Sequence, residues 1–405
     1  MAKAITSPVL ICGAGISGLA FAQGLLKARI PFRVFERDPA LNVRSQGYRM
    51  RINQIGILAL KQVLPDEVFD RLQASCAYNT SKGQGAGVHL DALTAEPLET
   101  KFEGKPPGPQ VMESLNADRT VLRSVLMSGL EPFVEFGRGF KEYEQTPTGV
   151  KVRFTDGKEV EGSLLVGADG TKSGVKKQLL PDHIFVDTEA RWFYGKTTLT
   201  PEFLEKFDSR AAQSLTRIQD KTNEIPLSLL LEPVRFKDNE FKKDMPADYI
   251  YWVLGSRKDT FAMDDAKLLK LTPEEAVLET QKLTTHWHPS IRVLFAMQDV
   301  GKTSILRIDS ARPELPVWET QPFVTLIGDS VHAMSPTAGV GAVTALRSAA
   351  LLAQLLGEEG ISVTNLRKYE DEMRKYSGSA IERSFWGGKL LFGMKAFAEL
   401  KPASA

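Results

Sequence analysis

The sequence predicts an α/β protein: a Rossmann-type dinucleotide-binding domain, interrupted by an inserted mixed β-sheet domain and completed late in the chain. Three observations predict it. The apolar run Pro8-Val9-Leu10-Ile11-Cys12 leads directly into Gly13-Ala14-Gly15-Ile16-Ser17-Gly18 and then an apolar helical stretch. Residues 181–295 carry isolated strand patterns with Trp192, Tyr194, Tyr249, Tyr251 and Trp252. A second strongly apolar run, Phe323-Val324-Thr325-Leu326-Ile327, comes only after Pro322 and runs into Gly328-Asp329.

Taken in order, Val9–Cys12 suits a strand covered on both faces, because parallel strands packed between helices read as unbroken apolar runs. Leu19 to Leu26 reads as a helix, and Phe32-Arg33-Val34-Phe35 as a second strand ending in Glu36, which makes a βαβ unit. Residues 46–52 alternate, placing Arg49 and Arg51 on one face and Tyr48, Met50 and Ile52 on the other. Residues 54–73 read as helix. The Gly- and Pro-rich stretch 79–111 reads as loops and short strands leaving the first domain.

Leu122, Leu126 and Leu130 recur at helical spacing after Asp118-Arg119. Val150 to Val166 reads as a strand, a turn at Asp156-Gly157, and another strand. Leu227–Leu231 and Tyr249–Leu254 are strand patterns, and a helix is predicted from Pro273 to Thr285. The late apolar helix is expected to run from Gly341 to Leu356 and stop at Gly357. The expected division gives 1–75, 111–180 and 296–375 to the dinucleotide-binding domain. Segments 76–110 and 181–295 go to the inserted sheet domain, and 376–405 to a C-terminal helix.

Composition narrows the function. The 405 residues carry 51 Lys+Arg against 50 Asp+Glu, so net charge gives no reason to expect nucleic acid or an anionic membrane as partner. The two cysteines, Cys12 and Cys76, exclude a disulfide framework and a Cys-based metal centre. Val9–Ile11 is too short for a secretory core, and no apolar stretch reaches the ~18 residues needed to span a bilayer. The expectation is a cytoplasmic protein, monomer or homodimer, without a resident metal.

The glycine motif carries the first chemistry. Gly13 permits a tight turn, Gly15 lets a pyrophosphate approach the backbone, and Gly18 lets the helix pack closely on the sheet. The N–H groups of Ile16 and Ser17 open the helix, whose N-terminal partial charge favours phosphate. Glu36 ends the next strand at the spacing, roughly 20 residues, that suits a ribose diol, and Arg37 follows it. These residues alone do not separate NAD from FAD.

Two further segments do: Leu164-Leu165-Val166-Gly167-Ala168-Asp169-Gly170 and Leu326-Ile327-Gly328-Asp329-Ser330-Val331-His332-Ala333-Met334-Ser335-Pro336. With the first motif and the Arg119 helix, they resemble the single-component flavoprotein monooxygenases of the aromatic-hydroxylase, para-hydroxybenzoate hydroxylase-like type. The resemblance covers nearly the whole chain. It implies FAD as cofactor, NADPH or NADH as reductant, and O₂ as co-substrate. One oxygen atom is then inserted into an aromatic or other electron-rich small molecule through a C4a-hydroperoxyflavin, most naturally as a hydroxylation in secondary metabolism. Epoxidation, Baeyer–Villiger-type insertion and a non-oxygenating FAD-binding protein are the alternatives on the same scaffold.

The resemblance also implies residue roles. Gly328 and Asp329 would hold the ribityl and pyrophosphate part of FAD. Pro336, Gly339, Gly341, Ala342 and Val343 would run along the isoalloxazine ring. Arg119 and Asp169 would contact the cofactor, as would the basic stretch with Arg49 and Arg51. Pro336 and Arg49 are the catalytic candidates. Val343 and Ser348 stand where the family often has Asn and Asp, and Lys176 where it often has Arg.

Trp192, Tyr194 and Trp252 are the candidate substrate contacts. His332 reads as a residue that orders its loop, and His286-Trp287-His288 as helix-end packing. Phe385 to Leu400 is expected to cover a core groove, interrupted at Gly387-Gly388.

Overall fold

The computed structural model describes residues 7–41, 43, 49–79, 87–99 and 113–403. Tyr48 and most of the Gly- and Pro-rich stretch lie outside them. Strands are numbered in chain order. A five-stranded parallel sheet has the order β16 (Val324–Leu326), β10 (Leu164–Gly167), β1 (Val9–Cys12), β2 (Phe32–Glu36), β6 (Val134–Phe136). Every residue of β1, β10 and β16 is buried, as the unbroken apolar runs require. Helices Ile16–Lys27 and Gly341–Glu359 pack together over this sheet.

The inserted sheet has six strands in the order β15 (Ser304–Ser310), β11 (Val186–Thr198), β14 (Tyr249–Arg257), β13 (Leu227–Val234), β12 (Thr216–Asp220), β4 (Val88–Asp91). It is mixed, since β4 pairs with β12 in parallel and the other pairs are antiparallel. Because β15 belongs to it, this sheet extends to Ser310, past the expected boundary at 295. A two-stranded ribbon, β3 (Arg49–Asn53) against β5 (Ser114–Asp118), lies between the domains in sequence. A three-stranded meander of β7 (Phe140–Thr146), β8 (Gly149–Phe154) and β9 (Glu159–Gly162) completes the set.

Several boundaries differ from the sequence reading for identifiable reasons. The helix expected over 54–73 is two helices, Gln54–Val63 and Asp66–Ser75. Leu64 is extended (ψ 146°) because a residue before proline, here Pro65, is kept out of the helical region. The late helix passes through Gly357 and stops at Gly360, whose φ of 76° suits glycine alone. The final helix spans Val363–Phe392, starting well before 376, with Ser362 capping the Asn365 N–H at 3.2 Å. Gly387 and Gly388 lie inside it. A Cβ at Gly387 would stand 3.0 Å from Thr337 Cβ, so this glycine lets the helix approach the Pro336 turn.

Candidate functional site: two pockets joined by one segment

The C-terminal ends of β1, β2 and β10 open onto a cleft of about 520 Å³. Gly13, Gly15, Glu36, Arg37, Arg119 and Asp169 all line it. Gly13 has φ 113°, and a Cβ there would sit 2.3 Å from the Ala168 carbonyl oxygen, so the turn demands glycine. A Cβ on Gly18 would lie 2.0 Å from the Gly13 oxygen, which fixes the helix against the turn. Above Gly15 nothing lies within 4 Å. No side chain caps this helix, so the first-turn N–H groups of Ile16 and Ser17 face the opening without an intrahelical partner.

Glu36 is buried, and its carboxylate accepts hydrogen bonds from the Ala14 N–H at 2.8 Å and the Asp38 N–H at 3.0 Å. That clamp aims its remaining lone pairs at the cleft, where a ribose diol would donate. Asp169 accepts the Gly174 N–H at 2.8 Å through one oxygen, while its other oxygen is buried without a partner. Burial pushes the Asp169 carboxyl up, against the pull of the Ser173 side chain and the backbone N–H groups. The open space over Gly15 and the orphaned Asp169 oxygen fit the phosphates and hydroxyls of FAD.

Asp329 keeps contact with solvent, yet the protein packed around it raises its carboxyl pKa, with the Arg119 charge opposing that shift. Arg119 itself lines the cleft. Gly328, at φ 63°, packs so closely that a Cβ would meet Ser17 Oγ at 2.5 Å. The late and early motifs therefore converge. Beyond them, Gly339 turns the chain in a left-handed conformation (φ 64°), and Gly341 and Ala342 begin the long helix. The Val343 side chain is buried, and a Cβ on Gly56 would come within 3.3 Å of it.

Pro336 lines a second, smaller pocket of about 70 Å³ on one face of the inserted sheet. Trp192, Tyr194, Tyr251, Val253 and Phe392 line it too. Trp252 does not, and its assignment as a substrate contact is corrected. Successive strand residues point to opposite faces, so Trp252 follows Tyr251 onto the far side. There it is fully buried beside Phe295 and donates to Thr197 Oγ1 at 3.2 Å. Each tryptophan lies over a glycine on its partner strand: a Cβ at Gly255 would strike Trp192 at 2.1 Å, and one at Gly195 would strike Trp252 at 2.0 Å.

Arg49 and Arg51 project from β3 toward Glu232 of β13, at 2.5 and 3.7 Å. Burial lowers the Arg49 pKa, and the Glu232 carboxylate opposes that shift. Nearby, Asp118 binds Lys196 Nζ at 2.6 Å and accepts the Tyr249 hydroxyl at 2.7 Å. His332 is buried with Nε2 2.8 Å from Ser348 Oγ, and His286 Nε2 lies 2.7 Å from Asp220.

Three residues escaped the sequence reading. Arg123 lines the first cleft and donates to the Ala14 carbonyl at 2.9 Å; its spacing one turn after Arg119 could have revealed it. Glu232, a lone acid after Leu229-Leu230-Leu231, signalled a buried charge needing a partner. Arg217, which lines the second pocket, gave no signal in the sequence.

Residues 6–193 match the model of an FAD binding domain. The chain is 38% identical, over 98% of its length, to the dual O-methyltransferase/FAD-dependent monooxygenase elcB of Phaeosphaeria nodorum, covering 47% of that protein. The corresponding CTB3 of Cercospora beticola is 38% identical over 97% of this chain and 47% of its own. The chain thus spans about half the length of these curated relatives. A Photorhabdus luminescens protein, provisionally assigned as an FAD containing monooxygenase, has a solved structure that superposes with a TM-score of 0.76. It is 28% identical, over 93% of this chain and 96% of that one. Among the described residues, no helix is long and apolar enough to cross a membrane. Residues 6–193 accordingly match an FAD binding domain, and nearly the whole chain is similar in sequence to proteins named as FAD-dependent monooxygenases.

Proposed function

We propose that the chain is an FAD-dependent monooxygenase that consumes NADPH or NADH and O₂ and inserts one oxygen atom into an aromatic or similarly electron-rich small molecule. One observation carries this reading. Gly328 packs against Ser17 in the first turn of the helix that opens the dinucleotide cleft, and only eight residues later Pro336 lines the aromatic pocket of the inserted sheet. A single short segment therefore reaches both the cofactor cleft and the substrate pocket.

FAD supplies electron transfer and dioxygen activation when bound. The chain supplies position. Gly13, Gly15 and the helix N-terminus would take the pyrophosphate, Glu36 the ribose, and Asp329 with Arg119 the linking region. Pro336 and the N-terminus of the Gly341 helix would flank the flavin, the helix end favouring negative charge there. Arg49, anchored by Glu232, would add a fixed positive charge at the seam between the domains. Trp192, Tyr194 and Phe392 would hold an aromatic ring and exclude water. Hydroxylation is the reaction this apolar, ring-shaped setting favours. We place the protein in the cytoplasm, as a monomer or homodimer.

The purified protein is expected to be yellow and to oxidise NADPH or NADH faster when a phenolic substrate is added. Label from ¹⁸O₂ should appear in the product. Bound flavin without substrate-stimulated NAD(P)H oxidation across a broad phenol panel would instead support a non-oxygenating FAD-binding protein.

A further inference from the structure

We propose that Asp118 is a positioning residue: through its carboxylate, Lys196 and Tyr249 of the inserted sheet hold Arg119 in place at the dinucleotide cleft. This rests on FAD as the occupant of that cleft and does not require the oxygenation. Asp118, Lys196 and Tyr249 line neither pocket. They act through Arg119, which lines the cleft.

The carboxylate is divided between the two domains. Asp118 caps the helix Arg119–Met127, and one of its oxygens accepts the Thr120 N–H at 2.8 Å and the Val121 N–H at 3.2 Å. The other accepts Lys196 Nζ from β11 at 2.6 Å and the Tyr249 hydroxyl from β14 at 2.7 Å. Asp118 is fully buried, and Lys196 and Tyr249 are buried with it. Burial and, after it, the Asp118 charge raise the Tyr249 pKa well above its usual value, so the phenol stays protonated and donates. Four donors thus converge on one side chain. A carboxylate offers acceptor sites on both oxygens, whereas a carboxamide has a single acceptor oxygen. Asparagine at this position would satisfy the helix or the sheet, and not both.

A second clamp of opposite sign stands beside the first. Asp118 lies opposite Arg49 in the β3–β5 ribbon, and directly opposed residues of an antiparallel pair project from the same face. Arg49 reaches Glu232 of β13 as Asp118 reaches Lys196 of β11. Exchanging the partners would set like charges together, so the seam admits one register of ribbon against sheet. A buried ion pair adds little stability over apolar packing of the same volume, and the use left to it is to fix a geometry.

The geometry fixed here is that of Arg119. It is the first residue of its helix, next to the cap, and the first-turn N–H groups lose their acceptor when the cap is withdrawn. Arg123, one turn later, is anchored separately through the Ala14 carbonyl at 2.9 Å. Release of Asp118 therefore displaces Arg119 and leaves Arg123 where it is.

The test measures FAD affinity by quenching of flavin fluorescence as apoprotein is added, with the thermal midpoint as the check on folding. Lys196→Met lies in the sheet, away from the cleft, and should weaken FAD binding at least about tenfold. Tyr249→Phe, which removes one hydrogen bond, should weaken it about threefold. Arg119→Gln should weaken binding by itself, and in that background either sheet substitution should add less than about twofold. Arg191→Met is the control, since it breaks the pairs of buried Arg191 with Asp187 and Asp265 on the same strand. It should lower the thermal midpoint and keep FAD affinity within about twofold of wild type. If Lys196→Met does not fold, Tyr249→Phe with and without Arg119→Gln decides. Full affinity in the folded sheet variants, an equal loss in both backgrounds, or a loss as large in Arg191→Met overturns the role of Asp118 alone. Wild type without affinity for FAD overturns the cofactor assignment, and this proposal with it.

Discussion

Arg49 and Glu232 meet at 2.5 Å, tying the β3–β5 ribbon beside the dinucleotide-binding domain to the inserted sheet. The Glu232 side chain is only 1% exposed, so its carboxylate exists there to answer the arginines. Removing one partner of such a pair leaves the other charge buried and costs more than the pair itself contributes. Glu232→Gln is expected to destabilise the protein by about 3–5 kcal/mol in urea unfolding. Glu202→Gln, which breaks the exposed pair with Lys206, should cost less than about 1 kcal/mol. Equal effects would show that Arg49 finds another counter-charge.

The glycine motif yields a contrast between two of its own members. Above Gly15 nothing lies within 4 Å, and its φ of −74° admits any residue. Gly15→Val should therefore fold with stability within about 1 kcal/mol of wild type. Its side chain would fill the open space in which the proposed function seats the pyrophosphate, and bound flavin should then fall by at least about tenfold. Gly18→Ala places a Cβ 2.0 Å from the Gly13 oxygen and should lose stability before binding can be compared. Stoichiometric flavin in folded Gly15→Val would remove Gly15 from the cofactor site.

Legibility in the sequence followed the range of the interactions. Gly13, Gly15, Gly18 and Glu36 share one βαβ unit, where spacing alone fixes geometry, and all four could be placed without coordinates. Asp329 and Asp169 were legible only through resemblance, because nothing local says that β16 pairs beside β10. Arg217 was invisible as a residue of the second pocket, because its place there depends on which face of β12 meets the end of a helix 173 residues further along the chain. Two of the three missed helix boundaries had local causes, by contrast. Pro65 was readable, while Gly357 misled because a buried helix tolerates an interior glycine.

Strand alternation turns the tryptophan correction into an experiment. Trp252 fills the far core, so Trp252→Ala should cost about 3–5 kcal/mol and leave the affinity of the folded protein for 2-naphthol unchanged. Trp192 lines the pocket, so Trp192→Ala should weaken 2-naphthol binding by about tenfold in equilibrium dialysis. A loss of 2-naphthol affinity in folded Trp252→Ala would place that side chain in the pocket after all.

His332 gives the protein an acid-sensitive point next to Asp329. Burial depresses its pKa from 6.5 to about 4, its Nε2 faces Ser348 Oγ, and its Nδ1 is buried without a partner. The folded state therefore holds the ring neutral where the unfolded chain protonates it. Above pH 6.5 the difference vanishes; as pH falls from 6.5 toward 4 the unfolded state gains a proton that the folded state refuses, and stability drops. The full penalty is about 3 kcal/mol, and it is reached only below the folded pKa. Other carboxyls titrate in the same range, and the raised pKa values of Asp169 and Asp329 act in the opposite direction. The comparison with His332→Gln cancels those contributions. Urea unfolding between about pH 7 and about pH 4.5 should show wild type losing stability relative to His332→Gln, by roughly 2–3 kcal/mol at the acid end. Parallel pH profiles would mean that His332 accepts its proton inside the fold, with the Ser348 hydroxyl turning to receive it.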